Sequence, residues 1–333
     1  MTEGNKQRIG FTTSIPVEII FAAGKTPVDM NNIFIGARRP GDLVDKAEEA
    51  GYPRSTCGWI KGLYATTLEN PPEALIAVME GDCSNTQALM ETLQLKGVNV
   101  IPFAYPFDRD GEMLQRQIDK LMKFFQVDND RVLACKRELD SIRRLCRELD
   151  RMTWQDNLIS GWENHYYLVS ASDFWGQPAL YQEKLSFLLA EARKRQPFAE
   201  KVRLAYIGVP PIFTDLYPVL ENMGARVVFN EVQRQFSMPY AGQDLVEQYL
   251  HYTYPYGAFA RLEDIQAEVE RRNIDGVIHY TQTFCYRQIE DLIYREKLSL
   301  PFLTLEGDKP GPLDARSRMR LEAFVHLLGK KSR

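Results

Sequence analysis

Residues 74–79 read ALIAVM, an apolar run with no polar alternation, which ends in Glu80-Gly81-Asp82-Cys83-Ser84 and is followed by a helical pattern over 86–96. A strand of that composition is buried on both faces, the condition of a strand inside a parallel sheet covered by helices. The same grammar recurs along the chain. Residues 8–12 (RIGFT) run through Thr13-Ser14 and Pro16 into a helix, 42–50 is a helix stopped by Gly51-Tyr52-Pro53, and 98–104 is the next strand. It resumes with a strand at 202–207, a helix at 214–222 ended by Gly224, and a strand at 225–229. A helix at 262–272, a strand at 276–280, a helix at 286–296, a strand at 301–305 and a helix at 314–328 complete it. Strand–helix–strand units imply parallel sheets with right-handed crossovers. Between the two series, 111–195 carries long helical patterns rich in Leu, Arg, Glu and Lys and no strand. The expected division is an α/β domain over 1–110, a helical segment over 111–200 and a second α/β domain over 201–333.

Charge and motifs exclude several functions. The net charge of −4 offers no basic excess for nucleic acid or a membrane surface. The chain has no run of 18 apolar residues, and MTEGNKQRIGF lacks the basic and apolar parts of a secretory signal, so a cytoplasmic protein is expected. No GxxxxGK[ST] loop is present, which disfavours ATP use by this chain, and no GxGxxG follows a strand, which disfavours a nicotinamide dehydrogenase.

Five widely spaced cysteines do not form a disulfide framework. Cys135 and Cys146 are eleven residues apart within one helical pattern; at about 100° per residue they share a face with Leu139, Ile142 and Leu149 and are expected in the core. Cys83 and Cys285 each follow a strand and precede a helix, which puts them in the crevice beyond the carboxyl ends of the strands. Cys57 opens a helical stretch after a Gly and Pro turn. Helix amino termini favour the thiolates that metals require. Without CxxC spacing, position alone leaves open a shared metal site or three unrelated loop cysteines. His279 lies in strand phase and is expected in the core, so a shared site would be all sulfur, suited to zinc or an iron–sulfur cubane. A cubane on three cysteines keeps one iron free of protein thiolate.

The chain resembles the subunits of the 2-hydroxyacyl-CoA dehydratase and benzoyl-CoA reductase family over nearly its whole length. The resemblance rests on 14–24 (SIPVEIIFAAG) with Pro27-Val28, 52–57 (YPRSTC), 81–85 (GDCSN), 280–285 (YTQTFC), 300–308 (LPFLTLEGD) and the Arg-rich helix from Arg316. It implies two Rossmann-like or flavodoxin-like parallel-sheet domains with helical additions. It further implies one [4Fe-4S] cluster per chain on Cys57, Cys83 and Cys285, a second family subunit in a homo- or heterodimer, and an ATP-hydrolysing iron–sulfur activator that injects one electron. In the family's dehydratases that electron reduces the thioester carbonyl of a 2-hydroxyacyl-CoA to a ketyl radical anion, hydroxide is expelled, and the electron returns. Its reductases keep electrons on an aromatic thioester, and a further branch reduces small molecules at a double cubane.

Within that resemblance Ser14 is a candidate hydroxyl donor and Glu18 a candidate acid or base, although an N-cap with a first-turn carboxylate explains the pair as well. Trp59 and Lys61 can shield the cluster or face CoA phosphates, or simply reflect one helical turn. Three readings are carried: a dehydratase subunit, a reductase of the same family, and a metal-binding or electron-transfer protein, zinc proteins included, with no chemistry of its own.

Overall fold

The computed structural model describes residues 7–331. Strands β1 (Arg8–Phe11), β2 (Thr26–Asp29), β3 (Ala74–Glu80) and β4 (Val100–Ala104) form one parallel sheet in the order β2-β1-β3-β4. Strands β5 (Val202–Gly208), β6 (Ala225–Asn230), β7 (Gly276–Gln282) and β8 (Phe302–Gly307) form a second parallel sheet in the order β6-β5-β7-β8. The two halves therefore repeat one winding. The first sheet carries α1 (Val17–Ala22), α2 (Met30–Ile35), α3 (Pro40–Glu49), α4 (Gly58–Glu69) and α5 (Asn85–Leu95). Helices α6 (Gly111–Phe125), α7 (Asn129–Trp154), α8 (Gly161–Ser170) and α9 (Pro178–Ala192) fill the chain between the sheets. The second sheet carries α10 (Leu216–Asn222), α11 (Glu231–Phe236), α12 (Leu245–His251), α13 (Ala258–Arg271) and α14 (Asp291–Lys297), and α15 (Ala315–Lys331) closes the fold.

Burial explains the composition of β3. Ala74, Ile76 and Val78 pack into the core shared with α1, α6 and α7, while Leu75 packs on the other face with Tyr64, Leu89 and Leu93. With both faces covered, no position calls for a polar side chain. Pro27 is tolerated in β2 because that strand is an edge, where a missing N–H breaks no ladder.

The halves interlock. Phe34, Leu43, Val44 and Ala65 of the first half pack in one cluster with residues of the second sheet, and Val232, Phe236, Tyr249 and Tyr252 of the second half pack with the first. Cys146 is fully buried on α7 beside the Tyr181 hydroxyl at 3.5 Å, Cys135 packs at the margin of the same core, and His279 is buried in β7. Among the described residues no helix is long and apolar enough to cross a membrane.

One local expectation is corrected. Ser14 does not cap α1: Pro16 occupies the N-cap position and no side chain bonds the free amides. Ser14 lies too far upstream to reach them, and its buried hydroxyl faces that of Tyr252.

Candidate functional site

The carboxyl ends of both sheets face one cleft of about 930 Å³, mouth included. Thr12, Thr13 and Asp29 beyond β1 and in β2, Asp82 and Cys83 beyond β3, Val209 and Pro210 beyond β5, and Gln282 and Cys285 at β7 all line it. Ligands collect at this edge of α/β sheets because side chains fill the sheet faces and only the loops leave a gap.

Cys57, Cys83 and Cys285 line this cleft together. Cys83 and Cys285 hold matching places, each just beyond the third strand of its half in chain order, whereas Cys57 is the N-cap residue of α4 in the crossover from β2 to β3. Close backbone geometry holds them there. Gly81 has φ +94°, and a Cβ on it would meet Tyr105 Cβ at 2.8 Å and Pro255 Cβ at 2.9 Å, so glycine is required two residues before Cys83. Gly58 has only 2.6 Å between a would-be Cβ and the Asp308 carbonyl, which brings the start of α4 against the second half. Phe284, directly before Cys285, sits in the left-handed region at φ 65°. The Tyr286 hydroxyl donates to the Asp82 carbonyl at 2.9 Å and ties the Cys83 and Cys285 loops to each other.

Burial dominates the thiols. It pushes Cys57 up to about 11 and Cys83 up to about 12, and it raises Cys285. Cys83 also feels Asp82, Cys57 and Cys285, and Cys57 feels Cys285. The N–H groups of Trp59 and Ile60 donate to Cys57, that of Asn85 to Cys83 and that of Arg287 to Cys285, which favours thiolate without overcoming desolvation. Sequence position suggested thiolates at helix ends; in the protein alone these groups are thiols.

Other walls complete the site. Burial pushes Asp82 up to about 7, partly offset by the Arg287 guanidinium, which is itself held by Glu290 at 3.0 Å and the Tyr254 carbonyl at 3.0 Å. Asp29 and Asp173 are neighbouring buried carboxyls, both raised by desolvation, Asp173 to about 7. Trp59 lines the cleft edge-on to Phe34, but Lys61 is bound to Glu48 at 2.8 Å and does not. Neither Ser14 nor Glu18 lines the cleft. Glu18 is fully buried and paired with Arg143 at 2.7 Å and Gln248 at 2.8 Å. His165 and Val169 of α8 and Phe236 of α11 also line the cleft; sequence carries no periodic or motif signal for them, because a helical segment places them from outside the sheets.

Among the described residues no three His, Cys, Asp or Glu side chains close on a single metal ion. Cys57, Cys83 and Cys285 nonetheless bring three soft sulfur donors to one cleft, the donor type that zinc and iron–sulfur centres both take.

A family model described as 2-hydroxyglutaryl-CoA dehydratase, D-component, matches residues 12–328. No curated protein matches the chain.

Proposed function

The chain belongs to the 2-hydroxyglutaryl-CoA dehydratase, D-component family, and from that membership we propose that it is the cluster-bearing subunit of an ATP-activated 2-hydroxyacyl-CoA dehydratase. The observation that carries the reading is the meeting of Cys57, Cys83 and Cys285, from two sheets, in one cleft. Held by these thiols, a [4Fe-4S] cluster would supply a CoA thioester with one electron at low potential for ketyl chemistry, the step no side chain can perform.

The chain's own residues do the remaining work. Trp59, Ile60, Leu63, Val169 and Phe236 give the cleft apolar walls that keep water from a reactive intermediate. Arg287 brings a positive charge fixed by two partners, suited to a substrate that gains negative charge. Glu18 holds α1 to α7 and has no acid–base part in this reading, and Ser14 stands behind the wall. A second family subunit and an ATP-hydrolysing iron–sulfur activator belong to the same proposal. Phe284, Tyr286, Ile289 and Leu292 stand exposed around and after Cys285, apolar area that such a partner would cover.

Iron and sulfide analysis after purification without oxygen tests the cluster. About four irons per chain are expected, lost in Cys285→Ala and kept in Cys146→Ala, which costs only packing. Equal iron in both variants, or zinc in place of iron, overturns the reading. With activator, ATP and a 2-hydroxyacyl-CoA, dehydration should proceed without stoichiometric use of reductant; matched consumption of reductant and substrate would assign a reductase instead.

A further inference from the structure

A chain of buried hydrogen bonds with fixed polarity ends at the cleft on His165. The Asp150 carboxylate, paired with Arg272 at 2.6 Å, can only accept. Its Oδ1 takes Asn164 Nδ2 at 3.4 Å, and the same nitrogen donates to Thr153 Oγ1 at 3.0 Å, whose own hydrogen goes to the Leu149 carbonyl at 2.8 Å. Asn164 therefore turns Oδ1 toward Asn230 Nδ2 at 2.7 Å, and Asn230 Oδ1 accepts the Tyr217 hydroxyl at 2.8 Å. With its hydrogen spent, the Tyr217 oxygen accepts from Gln233 Nε2 at 3.1 Å. The second hydrogen of that amide is aimed at His165 Nδ1, also at 3.1 Å. A nitrogen that accepts carries no proton, so the neutral ring bears its hydrogen on Nε2.

That Nε2–H has no partner among the described residues, and His165 lines the same cleft as the three thiols. Tyr217 and Trp162 flank the ring at 5.0 and 5.6 Å between centroids. Burial lowers its pKa to about 3, so the imidazole stays neutral at physiological pH. A neutral imidazole N–H stabilises charge that develops on an oxygen by hydrogen bonding, without giving up its proton.

We propose that His165 donates its Nε2–H to the carbonyl oxygen of the acyl thioester bound in the cleft, the atom on which negative charge builds. This rests on the thioester reading of the cleft. No bond is made or broken at the ring. Asn164, Asn230, Tyr217 and Gln233 are positioning residues that carry the polarity of Asp150 to the ring.

Two measurements test it. In the purified full chain labelled with ¹⁵N-histidine, His165 should show a protonated Nε2 and a bare Nδ1 throughout about pH 5 to 8; an imidazolium or an Nδ1–H ring overturns the proposal. Gln233→Met, which removes the donor at similar volume, should let the Nδ1–H form appear, a change that a merely structural role would not produce. The second measurement is the infrared carbonyl stretch of ¹³C-carbonyl butyryl-CoA, which lacks the 2-hydroxyl and cannot react. Bound to the wild type it should shift to lower frequency, the shift vanishing in His165→Phe and returning in part in His165→Gln. An unchanged shift in His165→Phe overturns the role of His165 and leaves the thioester reading standing. Failure of butyryl-CoA to bind the wild type overturns both.

Discussion

Asp173 shows how far burial moves a single group in this protein. Its carboxyl accepts the backbone N–H of Asp29 at 2.8 Å and that of Trp175 at 2.9 Å, yet desolvation, with the Asp29 charge adding to it, raises its pKa from 3.8 to about 7. Between those values the folded chain keeps a proton that the unfolded chain has released, so stability falls as pH rises, by at most about 1.4 kcal/mol per pH unit. Asp173→Asn cannot ionise and should flatten that slope, after a constant loss of roughly 1 kcal/mol for the amide that replaces one acceptor. Urea unfolding at pH 5 and pH 8 measures both effects; equal slopes in variant and wild type would remove Asp173 from the linkage. Sequence reading separated the cysteines correctly in one respect, since the helical period puts Cys146 in the core and the loops put Cys57, Cys83 and Cys285 in a cleft. It did not foresee their protonated state, because desolvation depends on everything packed around a thiol and leaves no trace in local spacing. The same is true of His165, whose tautomer is set by residues from α7, α10, β6 and α11.

Helix α1 illustrates what a short element needs from its neighbours. Six residues cannot hold a helix in water, and Val17–Ala22 has no side-chain cap. Its fixed point is Glu18, buried against Arg143 of α7 and Gln248 of α12. Glu18→Gln keeps the shape and deletes the charge, leaving Arg143 with Asp140 at 3.0 Å as its remaining ion-pair partner. The expected loss is about 3 kcal/mol, because a buried cation loses its counter-charge. A lower urea midpoint with unchanged iron per folded chain fits this anchoring; loss of iron at an unchanged midpoint would give Glu18 a part in the site instead. Long elements were legible in advance: the unbroken apolar run of β3 and the helical, strand-free stretch that holds α6 and α7 both survive into the structure. Strand β2 was not. It has four residues, one of them proline, and is recognisable only as an edge once β1 is beside it.

At the scale of the molecule, the two sheets share cores that do not include the three thiols, while Cys57 belongs to a smaller cluster of the first half with Cys83 packed against it. Stripping the proposed cluster with a chelator should therefore leave far-ultraviolet circular dichroism nearly unchanged, while amide exchange accelerates locally around 54–57, 81–85 and 283–287. Global unfolding on iron removal would mean that the cofactor, and not the interlocked halves, organises the chain. The two-sheet architecture followed from strand–helix rhythm, and the crevice rule placed Cys83 and Cys285, though not Cys57, at the edge where the cleft lies. The identical winding of the halves, and the mutual insertion that fixes the cleft width, came only with coordinates, since both depend on contacts between distant segments. That insertion has a consequence for how such a protein is made. On the proposed function, a scaffold that stands complete before it is loaded would take iron and sulfide into a finished cavity through the same mouth that would admit an acyl chain. Maturation and turnover would then use one doorway, and a cell starved of iron would accumulate folded, empty protein instead of debris.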